Sequence, residues 1–241
     1  MTWILQRHKH IYQRRWHVIF ALIVIALPLI FFAFFAHLAH IETAVIYADI
    51  GSSLLRLFIA YIIATILGWT LAVMFYRGRG SNIALPAFDV LQSVPTFAAL
   101  PIAVLTFGKS NGLIIFFLVL AIIWPVFFSV LSSLKMIKGE YHEAVQIYGL
   151  RGWKKLKLFV IPASIPGLIT GSIVGLGDAW EALVTTEIIV GIGTGFGAFF
   201  QQFSNDSKMT IIGIIGLLMI IFTINKMIWL PLLEKSHSLA E

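Results

Sequence analysis

Apolar runs of about 20 residues recur about six times along this chain, and runs of that length leave it few folds to choose from. A hydrocarbon layer about 30 Å thick is crossed by an α-helix of about 20 predominantly apolar residues. Inside it only helices and closed barrels satisfy their own backbone hydrogen bonds. The runs are Val18 to Ala36, Leu54 to Tyr76, Leu85 to Phe107, Gly112 to Leu134, Leu158 to Val190 and Met209 to Leu233. Composition agrees, since 59% of the 241 residues are hydrophobic and only 12% are charged, more apolar surface than a soluble core absorbs. The expected fold class is therefore all-α, a polytopic membrane protein of about six transmembrane helices. The first run follows Arg14 and Arg15, as the apolar part of a signal peptide would. It is too long for one, and His37 and Leu38 interrupt the candidate cleavage sites, so a retained helix is expected.

A net charge of +6 could suggest nucleic acid, and the placement of the basic residues decides against it. Arg7, Lys9, Arg14 and Arg15 precede the first run, and Arg77 and Arg79 lie between the second and third. Lys135, Lys138, Arg151, Lys154, Lys155 and Lys157 lie between the fourth and fifth, and Lys226 and Lys235 close the chain. The other side has Lys109 and Lys208, with Arg56 near that end of the second run. Basic residues gather on the cytoplasmic side of membrane proteins, so both termini and the loop around Glu143 are expected there. The charges flank spans rather than forming one stripe, so no nucleic-acid partner is expected. The absence of Cys removes disulfides and thiolate metal sites.

The spans differ in ways that locate function. The first, with Phe31, Phe32, Phe34 and Phe35, suits lipid contact all round and a peripheral position. The third carries Pro86, Pro95 and Pro101 together with Gln92, Ser93 and Thr96. Prolines free backbone groups that must be buried in protein or face water, so this helix is expected to be bent and internal. In the fifth, Gly167, Gly171 and Gly175 recur at four-residue spacing, which allows close helix approach. Asp178, Glu181, Thr185, Thr186 and Glu187 follow, and ionisable groups are costly in lipid. Asp178, Glu181 and Thr185 share one helical face, whereas Glu187 points elsewhere, close to the outer interface. Two readings of that face stand side by side. It lines a water-filled path, or Asp178 or Glu181 pairs with Arg56 or caps a helix end. The candidate path residues are Arg56, Gln92, Ser93, Thr96, Asp178, Glu181 and Thr185, and no ion-pair partner follows from the sequence.

Catalytic signatures mostly fail. Gly108-Lys109-Ser110 ends like a phosphate-binding loop, but Ala103 stands where the opening Gly belongs, and a turn is the better reading. Gly193 to Ala198 fits a dinucleotide fingerprint but follows a membrane helix rather than a strand, so Gly191, Gly193, Gly195 and Gly197 are expected to bend the chain back. His8 with His10 and His37 with His40 lack a third ligand, and no metal site is expected.

The polar segment between the fourth and fifth runs carries a mechanism. Glu140 to Tyr148 can form a short helix, with Gly149 as its left-handed C-terminal cap and Leu150 making the accompanying apolar contact. Gly152 to Leu158 would turn back toward the membrane before Pro162 and Pro166 start the next helix. A plain alternative is a helix lying on the lipid surface, with Lys154, Lys155 and Lys157 on anionic headgroups.

Glu143-Ala144-Val145, three residues, Gly149, nine residues, then Phe159-Val160-Ile161-Pro162 resembles the EAA motif of ABC-importer permeases. That pattern reads Glu-Ala-Ala, three residues, Gly, nine residues, Ile, any residue, Leu, Pro. The spacing is kept while Val145, Phe159 and Ile161 depart from it, and Tyr148 stands where Leu is usual. Ser52 to Arg56 with Gly68 resembles the start of the permease core, and Pro95 to Gly108 its Pro-rich third helix. Trp180 to Val184 with Glu187 resembles the fifth helix of the nitrate, sulfonate, taurine and bicarbonate permeases.

The resemblance implies the type I ABC importer (MetI-like) permease fold and a bacterial cytoplasmic-membrane location. It divides the chain into a cytoplasmic segment at 1–17, a first helix and outer loop at 18–48, a permease core at 49–234 with its coupling loop at 135–157, and a tail at 235–241. It implies that Tyr141, Glu143, Ala144, Val145, Tyr148, Gly149, Leu150 and Pro162 engage an ABC ATPase, with ATP and magnesium bound by that partner and no cofactor by this chain. A second copy of the chain, an extracytoplasmic substrate-binding protein and membrane lipid are the other implied partners. The implied solute is small and polar, nitrate-, sulfonate- or taurine-like or a small nitrogenous compound. Asp178 and Glu181 sit awkwardly with an anion and suit a cationic or neutral nitrogenous solute better. Two rivals remain: a secondary transporter using Asp178 and Glu181 as an ion or proton relay, and a membrane enzyme, for which the inner loops offer few acids beyond Glu140 and Glu143.

Overall fold

The computed structural model describes residues 21–38, 41–77, 79–229 and 231–232, and the expected terminal segments at 1–17 and 235–241 lie outside the described residues. Within them every regular element is helical. In chain order these are α1 (Ala21–Leu38), α2 (Thr43–Phe75) and α3 (Arg79–Gln92). A 3₁₀ turn (Thr96–Ala99) leads to α4 (Leu100–Phe107), and α5 (Asn111–Lys135), α6 (Gly139–Ile147) and α7 (Gly152–Lys155) follow. A π-helical turn (Leu156–Val160) continues into α8 (Ile161–Val190), then α9 (Phe196–Gln202), α10 (Ser207–Ile224) and a closing π-helical turn (Asn225–Trp229). Five stretches are long and apolar enough to cross a membrane, or six when the bent pair Leu85–Gln92 and Thr96–Phe107 forms one span.

That pair is bent by 61°, and Pro95 is the cause. It supplies no amide hydrogen and pushes Val94 out of the helical region. Pro101 falls in the first turn of α4, where a missing N–H costs nothing. The expectation that this span is internal does not hold within the chain itself, since only Leu100 of α4 and no residue of the 3₁₀ turn is buried. Its flank is left uncovered, and its polar residues border the cavity described below.

The chain divides into two compact units. The larger, the described residues within 49–201 together with Leu232, is organised around α5 and its principal partner α8. Ile114, Leu118, Ile122, Val126 and Val130 recur at four-residue spacing and form a ridge on α5 that is fully enclosed. The glycines of α8 meet this ridge. A Cβ at Gly167 would stand 2.5 Å from the Ser129 carbonyl oxygen, one at Gly171 2.7 Å from Val126 Cα, and one at Gly175 3.2 Å from Ile122 Cγ2. On the other side of α5, a Cβ at Gly68 of α2 would stand 2.9 Å from the Ile123 carbonyl oxygen. Lipid offers no hydrophobic drive for helix association, so this close van der Waals packing holds the helices together.

The smaller unit takes in the described residues within 21–48 and 202–231. Here α1 is not lipid-facing all round, because Val24, Phe32, Phe35 and Ala36 are buried along one stripe. Gly216 of α10 makes room for the Phe32 ring, and Thr223 Oγ1 donates to the Val24 carbonyl at 3.0 Å. Uniform hydropathy hid this packed side, since a phenylalanine reads the same whether it meets lipid or glycine.

Candidate functional site

Three places gather chemistry-bearing residues. The first is the connection between α5 and α8. Helix α6 ends in a Schellman cap: Leu150 N–H donates to the Val145 carbonyl at 3.0 Å and Gly149 N–H to the Gln146 carbonyl at 3.0 Å. Gly149 has φ +66°, a conformation open to glycine at little cost. Val145 is buried and Ala144 half-buried, whereas Tyr141, Glu143 and Tyr148 are exposed. Pro162 lies in the first turn of α8. The exposed apolar side chains include three outside the motif residues, Met136, Ile147 and Trp153. Their sequence signal was large apolar residues inside the Lys-rich segment, a combination that marks contact surfaces.

The second place is a buried polar cluster joining α2, α8 and the glycine loop after α8. Glu187, 1% exposed, pairs with the Arg56 guanidinium. Its carboxylate also accepts from Ser53 Oγ at 2.8 and 2.9 Å and from Gly197 N–H at 2.9 Å. Arg56 donates in addition to Asn111 Oδ1 at 2.7 Å and to Thr194 Oγ1 at 2.6 Å. Gly195, at φ +100°, donates its N–H to Asp49 at 2.8 Å, and a Cβ there would meet the Glu187 oxygens at 2.6 Å. A charge pair with this many hydrogen bonds offsets its desolvation and fixes the loop. The helical extension that supplies Asp49 and Ser53 precedes the apolar run, so hydropathy alone started α2 too late.

The third place is a cavity of about 550 Å³ in the larger unit. The bent span contributes Gln92, Thr96 and Phe97. Helix α5 contributes Leu120, Ala121, Trp124, Pro125, Phe128 and Ser129, and α8 contributes Val174, Asp178 and Glu181. Gln92 Nε2 donates to Asp89 Oδ1 at 2.8 Å. Of the candidate path residues, Gln92, Thr96, Asp178 and Glu181 share this cavity, and Ser93 and Thr185 are not in its lining. Arg56 stands in the buried cluster instead. The aromatic wall was not singled out from the sequence. Its signal was Trp124 next to Pro125 in the middle of α5, away from the interfacial belts where membrane Trp concentrates.

Comparison with known proteins follows this geometry. Residues 64–236 match the family of binding-protein-dependent transport system inner membrane components. Over 176 residues the chain is 27% identical to the bicarbonate transport system permease protein of Synechococcus elongatus, an alignment covering 70% of this chain and 63% of that one. Over 179 residues it is 28% identical to the nitrate import permease protein of Synechocystis sp., covering 71% and 65%. Over 155 residues it is 30% identical to the taurine transport system permease protein of Escherichia coli, covering 64% and 56%. In each case the match spans less than two thirds of the relative's own length.

Proposed function

The chain belongs to the family of binding-protein-dependent transport system inner membrane components, and from that premise we propose that it is the transmembrane subunit of an ATP-driven ABC importer. It moves a small polar solute across the cytoplasmic membrane by alternating access, with both termini on the cytoplasmic side. The observation that carries the reading is α6. This short helix holds exposed Glu143, Ile147 and Tyr148 on a glycine-capped turn that leads through α7 and the π-helical turn into α8.

In this reading α6 is the coupling helix. Tyr141, Glu143, Ala144, Val145, Tyr148, Gly149, Leu150 and Pro162 form or support the surface that seats in an ATPase subunit. ATP and magnesium are bound on that partner, and this chain performs no catalytic step. Closure of two ATPases draws the coupling helices of two copies of the chain together. Movement passes to α8 and, through the glycine seam, to α5, because close-packed helices move as a body. A soluble binding protein delivers solute at the opposite face. The names of the relatives suggest a nitrate-, bicarbonate- or taurine-like solute, and the two acids of α8, Asp178 and Glu181, favour a small nitrogenous compound instead. The second copy has a physical motive as well: Asp178 and Glu181 are exposed along α8, and carboxylates do not face lipid at that depth.

The same two exposed acids favour a second reading, a secondary transporter that uses them as an ion or proton relay. ATP hydrolysis separates the two. The tagged chain purified from native membranes should bring ATPase activity with it, lost on Gly149→Pro. A purified chain free of ATPase activity that still transports would favour the relay.

A further inference from the structure

We propose, resting on the importer reading, that the cavity between the bent span, α5 and α8 takes a small organic cation: an ammonium or amidinium group on a flat or apolar body. Free inorganic anions such as nitrate or bicarbonate do not suit it.

Among the described residues its charges all have one sign. Asp178 and Glu181 line the cavity, and among the described residues neither makes an ion pair. Among the described residues no Lys, Arg or His stands in the lining. Arg56, the base nearest in character to an anion ligand, is committed to Glu187, Asn111 and Thr194 in a separate cluster. Among the described residues Gln92 is the one side-chain amide in the lining, and its Nε2 donates to Asp89, a further carboxylate.

Two kinds of neutral group add to this, beside the Thr96 and Ser129 hydroxyls and the Trp124 indole N–H, which can hydrogen-bond the solute's body. Pro125 cannot donate the hydrogen bond that the Ala121 carbonyl would otherwise accept, and both residues line the cavity. That leaves a backbone acceptor without its helical donor on a residue of the lining. Trp124, Phe128 and Phe97 add aromatic rings, whose faces attract cations and pack flat groups. A volume of about 550 Å³ fits a small molecule with such a body rather than a bare ion. Asp178 stands near the middle of α8, where an uncompensated carboxylate is costly and a cation relieves two of them at once.

Benzamidine and benzoate test this directly, being nearly the same shape with opposite charge at neutral pH. The probe experiment is equilibrium binding of each, and of nitrate, to the full-length chain with its co-purified ATPase in phosphatidylcholine nanodiscs. Benzamidine should bind at least about tenfold more tightly than benzoate. The isosteric pair Asp178→Asn with Glu181→Gln should abolish that preference, and Trp124→Leu should weaken benzamidine binding by about threefold or more. Tighter binding of benzoate or nitrate would overturn the proposal. So would an unchanged preference in the double variant, or no benzamidine binding. Any of these results with the ATPase still attached would leave the importer reading standing. A cation preference in a chain that recovers no ATPase would instead remove the importer reading and keep the cavity's charge selection.

Discussion

Arg56 on α2 and Glu187 on α8 form an ion pair enclosed by protein, and the same carboxylate accepts hydrogen bonds from Ser53 and from the Gly197 amide. One residue thus joins two membrane helices to the start of α9. Removing a single member leaves a buried charge without compensation, at a cost of about 3–5 kcal/mol. Arg56→Met or Glu187→Leu alone should therefore sharply lower the temperature at which the detergent-purified chain loses monodispersity, and the double variant should recover much of the loss. Size-exclusion chromatography after a heating series checks this; single variants as stable as the parent would show that the pair is dispensable.

The glycine seam predicts an ordered set of effects. A Cβ at Gly171 would meet Val126 Cα at 2.7 Å, whereas one at Gly177, six residues along the same helix, would meet nothing within 4 Å. Gly171→Val should cost about 1–3 kcal/mol by overpacking, seen as reduced membrane abundance and a lower melting point. Gly177→Ala should be neutral. Equal behaviour of the two would mean that α5 and α8 are not packed as closely as described.

Much of this architecture was readable before any coordinates. Blocks of about 20 apolar residues specify spans because the bilayer sets one length for all of them. Pro95 announced the bend, and Gly149 the cap of α6, because each has a backbone constraint that few other residues share. Relationships between distant residues were less accessible. Arg56 and Glu187 are 131 positions apart, and the sequence pointed to Asp178 or Glu181 as a partner for Arg56, not to Glu187, which is the partner in the structure. Packing settles that choice: Glu187 faces α2 and the glycine loop, while Asp178 and Glu181 face the cavity. Likewise Trp124 and Phe128 stood in an apolar run where nothing but their neighbours distinguished a cavity wall from a lipid-facing surface.

The cap of α6 gives a third expectation. Gly149 has φ +66° and donates its amide to the Gln146 carbonyl at 3.0 Å; proline can do neither. Gly149→Pro and Glu143→Lys should each leave membrane insertion at parental abundance while separating ATP hydrolysis from uptake. Measured on the assembled transporter, uptake per ATP should fall several-fold in both. Normal uptake by both variants at parental abundance would remove α6 from the coupling role.

Docking of an ATPase on the Glu143 helix is the centre of the account, and affinity co-purification tests it most directly. The tagged chain is extracted in mild detergent with and without Glu143→Lys, and the recovered proteins are identified. We predict that a nucleotide-binding subunit comes down with the parent chain and is lost with the variant. Recovery of the chain alone in both cases, with transport still measurable, would contradict the account and move the working residues to Asp178 and Glu181.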